Sequence, residues 1–186
     1  MRLVILLIAL TFSVHSSAQN WVNGKKVDRW SDVEYLDLSK MKFVKHGIPD
    51  SLWTMTQLKG LRLSGNKLIF LDPNISKLVN LRVLDLSRNR LNVLTGEVGS
   101  LAKLDTLILN RNDLYTLPAE LGNLTQLRYL DLWSNHVDDL PAAMDKLQNL
   151  KKVDFSGIIV FPEQQEKLHR RFPEVELVFN KSCNCH

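Results

Sequence analysis

A repeat of 23 residues constrains the fold of this chain more than any other feature of its sequence. Leucines open five successive units at that interval without a slip in phase, and they are Leu58, Leu81, Leu104, Leu127 and Leu150. A fixed period of this size is typical of solenoids, in which each unit packs only on its two neighbours. The repeat therefore predicts one domain with a continuous core.

Each unit combines two apolar patterns. The unit that opens at Leu104 continues with Leu107, Leu109, Asn112, Leu114, Leu117, Pro118, Leu121 and Leu124. Leu107 and Leu109 are two residues apart, which is the period of a strand. The last three leucines follow steps of four and three, which are closer to the period of a helix. Each unit is therefore expected to hold one short strand and a looser return segment.

The spacing Leu-x-x-Leu-x-Leu-x-x-Asn-x-Leu-x-x-Leu resembles the leucine-rich repeat family, in the 23-residue form with a Leu-Pro pair that exported bacterial members carry. The resemblance covers residues 33–161. It implies an α/β fold, a solenoid of about six repeats with a parallel sheet on its concave face and a cap at each end. It also implies a non-enzymatic module that binds a protein or peptide on that sheet. One scaffold hosts many functions, so the family specifies the fold better than the ligand.

An asparagine recurs where each strand is expected to bend inward. The four are Asn66, Asn89, Asn112 and Asn135. A buried amide needs hydrogen-bond partners, and asparagine carries both donors and an acceptor. We therefore predict a structural ladder in which each amide bonds the backbone of its own unit and of the adjoining one, and we favour it over a ligand site. Met41 and Ile158 replace the asparagine in the end units, as expected of capping repeats.

The N-terminal residues depart from the repeat. Residues 1–18 contain Arg2, an apolar run and the small residues Ser16, Ser17 and Ala18, a pattern that predicts a cleaved signal peptide. The apolar run is shorter than a spanning helix needs, so export to a secreted or periplasmic location is expected, with an uncleaved anchor as the alternative. Residues 19–32 form an N-terminal flank, in which the Asn23-Gly24 pair favours a hairpin turn.

The C-terminal residues also leave the repeat. In residues 162–179 a segment with acids first and bases last, ended by Pro173, predicts a helix, and a short strand is expected after it. We expect these elements to cap the last unit. Residues 180–186 form a tail that carries Cys183, Cys185 and His186.

Composition and motifs exclude several classes of function. The chain has 24 basic and 20 acidic residues, and loss of Arg2 leaves 23 against 20, an excess of +3 that does not imply nucleic acid. No nucleophile elbow, phosphate loop or zinc-protease motif occurs, so neither an enzyme nor a cofactor is predicted. No later segment reads as a membrane span.

The cysteine tail defines a third class of function, a metal or redox protein. Its three ligands lie closer together than the Cys-x2-4-Cys spacing of structural zinc sites, so no metal site is predicted. A disulfide, an intermolecular bond and free thiols remain alternatives for Cys183 and Cys185.

Strand residues that alternate with the buried leucines must face the concave side of the solenoid. On the later strands these residues, with two arginines on adjoining strands, form a cluster that we name the concave patch: Arg88, Ile108, Arg111, Tyr129, Asp131 and Trp133. Aromatic and arginine side chains are enriched in binding hot spots, so the patch predicts contact with a protein or peptide. An ordinary solvated surface is the plain alternative. A carbohydrate or cell-envelope glycan is the second functional hypothesis, in which Trp133 and Tyr129 stack on sugar and Asp131 bonds hydroxyls.

Overall fold

The structure, a computed structural model, describes residues 21, 30–43 and 47–180. Within them, seven parallel strands form one sheet whose strand order follows the chain. The strands are β1 (Tyr35–Asp37), β2 (Gly60–Arg62), β3 (Val83–Asp85), β4 (Thr106–Ile108), β5 (Tyr129–Asp131), β6 (Lys152–Asp154) and β7 (Glu176–Val178). This sheet confirms the predicted solenoid. The predicted signal peptide, the Asn23-Gly24 turn and the cysteine tail lie outside the described residues.

The middle residue of each repeat strand points into the core. These residues are Leu36, Leu61, Leu84, Leu107, Leu130 and Val153, none of which is more than 1% exposed. Leu107 lies in register with Leu84 on one side and with Leu130 on the other. Because strand neighbours alternate in direction, the residues that flank these positions face the concave surface.

The four repeat asparagines are buried and stack as a ladder beside the sheet. The Asn112 amide donates to the Leu86 carbonyl of the preceding unit at 3.0 Å and to the Leu109 carbonyl of its own unit at 2.7 Å. Its oxygen accepts the Leu91 N–H at 3.1 Å. Leu109 also accepts the Asn135 amide, so one carbonyl serves two rungs of the ladder.

The return segments are short 3-10 helices rather than α-helical turns. In the described part of the chain these are η2 (Asp50–Thr54), η3 (Pro73–Lys77), η4 (Gly96–Ser100), η5 (Ala119–Asn123) and η6 (Ala142–Lys146). A further short 3-10 helix, η1 (Trp30–Asp32), precedes β1. A 3-10 helix rises farther per residue than an α-helix, so it crosses the unit with fewer residues. At Gly99 a Cβ would lie 2.3 Å from the Glu120 carbonyl oxygen, so neighbouring return segments stack backbone against backbone.

The last unit is followed by one α-helix, α1 (Pro162–Arg171), and by β7, which pairs with β6. Proline suits the first turn of α1, because its backbone N–H is not needed there. The basic residues in the last turn suit the helix dipole. Leu168 and Phe172 are buried in the same apolar cluster that begins at Val33. Arg171 of α1 pairs with Asp139 and Asp145, in each case at 2.6 Å. No helix in the described part of the chain is long and apolar enough to cross a membrane.

Candidate functional site

The fold places the concave patch on β4 and β5 and on the turns that follow β3, β4 and β5. Ile108 ends β4 and lies in register with Asp131, which ends β5. Tyr129 starts β5 beside Thr106 and Lys152. The arginines and Trp133 follow the strands, so they stand at one edge of the concave surface. The sequence prediction that placed Arg88, Arg111 and Trp133 on strands is therefore wrong. The strands end earlier, at Asp85, Ile108 and Asp131, because the turn of each unit follows.

Arg111 and Trp133 are in contact. The Arg111 Cζ lies 4.5 Å from the centre of the Trp133 ring, which is the geometry of a cation–π pair. The backbone of Arg111 has a φ of 54°, in the left-handed region, and its N–H donates to the Trp133 carbonyl at 2.8 Å. Because this hydrogen bond joins the two backbones, the two side chains are held close to each other.

Trp133 is partly buried, and the next unit makes room for it. Gly157 has a φ of 74°, and a Cβ at that position would lie 3.0 Å from both Cδ1 and Nε1 of the indole. The backbone N–H of Trp133 donates to Asp131 Oδ1 at 3.0 Å. One side of the ring therefore packs on Gly157, and the ring is more constrained than the alternation of residues predicts.

Asp131 is a largely buried member of the concave patch and accepts hydrogen bonds within it. Its side chain accepts the Trp133 N–H on Oδ1 and the Asn110 amide on Oδ2, the latter at 2.5 Å, and the residue is only 9% exposed. Burial raises the pKa of Asp131 above its ordinary value. The two hydrogen bonds lower this pKa, and the negative charges of Asp154 and Asp85 raise it further. Asp131 is therefore a less exposed member of the patch than alternation alone predicts, and its carboxylate positions Trp133 and Asn110.

Tyr129 is a hydrogen-bond donor at neutral pH. Burial, followed by the charges of Asp131, Asp154 and Glu176, raises its pKa to about 12. Each of these causes disfavours the phenolate, so the hydroxyl keeps its proton. Tyr129 can thus offer a donor next to the carboxylates of the sheet.

Arg88 and Ile108 complete the patch. Arg88 is exposed, has a φ of 55° and anchors its backbone N–H on the Asn110 carbonyl at 2.8 Å. Ile108 is partly buried. The structure thus brings Arg111, Trp133 and Asp131 into one bonded group, with Arg88 one unit earlier along the same edge.

A column of aspartates has a structural role that alternation of residues does not reveal. The carboxylates of Asp37, Asp85, Asp131 and Asp154 each accept the backbone N–H two residues later, at 2.8 to 3.0 Å. Aspartate that bonds its own backbone in this way forms an Asx turn and ends a strand. The regular occurrence of Asp at the strand ends is the sequence signal for these turns.

A second aromatic group lies at the other end of the concave face. Trp21 packs edge-on against Tyr35 with ring centres 5.5 Å apart, and the Arg62 Cζ lies 3.9 Å from the Trp21 ring. A Cβ on Gly60 would lie 2.5 Å from Tyr35 and 2.8 Å from Trp21, so only glycine leaves space for them. The one sequence signal for this group is a glycine inside a strand, which often marks a close approach. Trp21 thus covers the concave face of β1 and β2.

Metal ligands are not clustered in the described residues, where no group of three histidine, cysteine or acidic side chains could hold an ion. The candidate site is built from aromatic and charged groups on the sheet and the turns that follow it.

These features define a solenoid repeat scaffold with a parallel sheet on its concave face. The family model for the leucine-rich repeat region matches residues 11–152, and the chain belongs to the leucine-rich repeat family. No curated protein matches the chain significantly.

Two solved structures of bacterial proteins are similar to this chain. A leucine-rich repeat protein of Leptospira interrogans is 29% identical with a TM-score of 0.69, and the match covers 80% of this chain and 43% of that one. An internalin of Listeria monocytogenes is 16% identical with a TM-score of 0.62, and the match covers 81% of this chain and 44% of that one. The second similarity concerns the fold alone. In each case the chain spans less than half the length of the protein that it resembles.

Proposed function

We propose that this chain is a non-enzymatic, exported module that binds a protein or peptide through the concave patch. The observation that carries the proposal is the Arg111–Trp133 pair, fixed by its turns on the concave edge of the sheet. A side chain that is already ordered loses little entropy on binding, so its contacts convert more fully into affinity. Membership of the leucine-rich repeat family supports a binding role.

The surroundings of the pair suit a protein partner. Trp133, Ile108 and Tyr129 are partly buried and can be covered fully by a partner, while exposed Arg88 can pair with an acidic side chain at the rim. Interface hot spots have this composition, with aromatic and arginine anchors surrounded by groups that exclude water.

A glycan is the second candidate, favoured by one observation. The protonated hydroxyl of Tyr129 lies on the same strand that leads to the Trp133 ring, so a ring for stacking and a hydrogen-bond donor occur together. Asp131 contributes less than this hypothesis requires, because both of its oxygens already accept hydrogen bonds. A glycan array compared with affinity capture of proteins from envelope and medium separates the two candidates.

The test of the patch is Trp133→Ala. We expect it to weaken binding of the captured partner by about 2 kcal/mol, the loss at a hot spot, as measured by titration calorimetry. Because the ring is partly buried against Gly157, we also expect a loss of about 1 kcal/mol in the free energy of unfolding, well below the about 3 to 5 kcal/mol for a fully buried tryptophan.

The matched control is Tyr115→Ala, which removes an aromatic ring that is 64% exposed and lies outside the strands of the sheet. Capture by the wild type and by Tyr115→Ala should be equal, and capture by Trp133→Ala should be reduced. Equal capture by all three proteins would remove the concave patch as the binding surface.

Export is part of the same proposal and has its own test. Residues 1–18 carry the signal-peptide pattern, and we expect cleavage after Ala18. N-terminal sequencing of the protein from its native source should read from Gln19. A mature protein that begins at Met1 would remove the export proposal and leave the binding proposal standing.

A further inference from the structure

The edge of the sheet where the strands begin holds a polar groove that the concave patch does not include. The groove has a volume of about 410 Å³ and is lined by Arg82, Lys103, Asp105, Gln126 and Arg128. This volume is in the range of small-molecule sites, which usually have mostly apolar linings. Here every lining side chain is polar or charged, so the groove suits a ligand that is polar over its whole surface.

The sheet holds the groove in a fixed shape. Arg82, Asp105 and Arg128 immediately precede β3, β4 and β5 at equivalent positions. The Asp105 N–H donates to the Arg82 carbonyl at 2.9 Å, and the Arg128 N–H donates to the Asp105 carbonyl at 2.8 Å. Adjacent strands are about 4.8 Å apart, so the backbones of the two arginines stand about 10 Å apart with Asp105 between them.

The arginines of the groove differ from the lysine at the equivalent position before β2. Lys59 pairs there with Glu34 at 2.7 Å. Arg82 and Arg128, by contrast, form no ion pair with any residue that the structure describes. A guanidinium stays charged at all physiological pH values, so these two groups are available to an anion.

The charge within the groove is positive. Asp105 accepts a hydrogen bond of 2.7 Å from the Thr106 hydroxyl, which occupies part of its carboxylate. Three cations and one carboxylate line the groove, which gives a net charge of +2 (3 − 1). The single acid therefore does not neutralise the site.

The groove coincides with a break in a repeated row of amides. Positions 80, 103, 126 and 149 are equivalent at the 23-residue interval. Asn80 and Asn149 each donate to a backbone carbonyl of the preceding unit, at 2.9 and 2.8 Å. Lys103 and Gln126 replace this asparagine in the two central units and line the groove instead. Lys103 is oriented by a bond of 2.7 Å from its Nζ to Asn80 Oδ1.

We propose that this groove binds a saccharide that carries an oxyanion, namely a phosphate, sulfate or carboxylate group. Arg82, Arg128 and Lys103 bind the oxyanion, because guanidinium groups form charge-assisted, often bidentate bonds with such groups. Asp105 and Gln126 then bond hydroxyl groups, as acceptor and as donor. The groove is larger than one inorganic anion needs, which assigns the remaining space to the sugar ring. The site is separate from the concave patch, so this proposal does not depend on the proposed function of the patch.

The experiment is an NMR titration of the full chain with glucose 6-phosphate, glucose 6-sulfate and glucuronate. We expect saturable shifts of the backbone amides of Arg82, Lys103 and Arg128 and of the arginine Nε–Hε groups. The variant Arg82→Gln/Arg128→Gln should weaken binding by about tenfold or more, because two charged hydrogen-bond partners are lost. Added salt should also weaken binding, since the groove is open to solvent.

The matched control is Lys59→Gln/Lys152→Gln, which removes two positive charges outside the groove, Lys59 from the position before β2 and Lys152 from the first position of β6. It should bind the sugar esters as the wild type does, and an equal loss in both double variants would overturn the site in favour of general charge attraction. Unesterified glucose and inorganic sulfate complete the test. If sulfate alone bound as tightly as glucose 6-sulfate, the assigned hydroxyl contacts would be wrong, and no saturable shift with any probe would overturn the proposal.

Discussion

Asparagine at the inward bend of a unit performs a task that no apolar side chain can perform. Asn112 reaches four backbone groups in two units, the most distant being the Asn110 carbonyl at 3.5 Å, and the residue is 5% exposed. These backbone groups differ in what else they bond. The Leu86 and Leu109 carbonyls each accept a second asparagine amide, whereas the Leu91 N–H has only Asn112 as its partner in the described structure. The Leu91 N–H is thus the group that would be left without a hydrogen bond if Asn112 were replaced.

Asn112→Leu should destabilise the domain chiefly by leaving the Leu91 N–H buried without an acceptor. We expect a loss of about 1 to 3 kcal/mol for that group, with smaller losses from the two carbonyls that keep one amide each. Urea unfolding followed by circular dichroism measures the difference. Asn92→Leu, an exposed position in the preceding unit next to Leu91, is the control and should stay within about 0.5 kcal/mol of the wild type.

For single residues, the sequence predicts the structural role of a residue that repeats in every unit and does not predict the burial of one that occurs once. The position of Asn112 in each unit follows from periodicity and from the needs of a buried amide. The partial burial of Trp133 does not, since it depends on the left-handed Gly157 of the following unit. Trp21 is still harder to place, because it lies outside the repeat and its ring packs beside Gly60, which is distant in the sequence.

The return segments show how small residues set the spacing between units. Gly99 in η4 and Gly122 in η5 occupy equivalent positions 23 residues apart. A Cβ on either would lie 2.3 Å from a backbone oxygen of the next return segment. Backbone cannot move aside as a side chain can, so these glycines fix how closely η4, η5 and η6 stack.

Gly99→Ala should therefore lower the free energy of unfolding by about 1 to 3 kcal/mol, the cost of overpacking. Gly96→Ala in the same 3-10 helix is the matched control. There the nearest atoms, at 3.0 to 3.4 Å, belong to the Glu120 side chain, which can rotate away. Thermal unfolding of both variants compares them, and equal stability would show that the stacking at Gly99 is looser than the structure has it.

Element type was partly predictable from the apolar pattern. The two-residue spacing of Leu107 and Leu109 indicated a strand, which β4 confirms. Steps of four and three residues in the return segment indicated a helix-like turn without distinguishing a 3-10 helix from an α-helix. The distinction comes from stacking, because units only one strand spacing apart leave room for a narrow return segment.

At the scale of the whole molecule, stability depends on how the two ends of the solenoid are covered. β7 extends the sheet beside β6, and the Phe179 ring stacks on Phe155 with centres 5.3 Å apart. Leu168 of α1 is fully buried. These contacts cover the core of the last unit and the open edge of its strand, which would otherwise offer unpaired backbone groups to another chain.

A chain that ends at residue 161 should expose this core and aggregate, because solenoids need terminal caps for solubility. Light scattering and size-exclusion chromatography measure the change. A chain that lacks only residues 181–186 is the control and should remain as soluble as the full chain. A truncated protein without residues 162–186 that stayed monomeric and equally stable would show that α1 and β7 do not act as a cap.

In the sheet, β1 to β7 follow the order of the chain, and each strand bonds only to its neighbours. This order limits how the gene can change over evolutionary time. Duplication or loss of a whole 23-residue unit between β2 and β6 would preserve every junction, because each unit offers its neighbours equivalent surfaces. An insertion or deletion inside a unit would instead have to be accommodated outside the strand and the asparagine turn, as in the first unit, where Tyr35 pairs with Gly60 at an interval of 25 residues (60 − 35). Lineages of this protein should therefore differ in reach mainly by whole units, with the sequences at both ends retained.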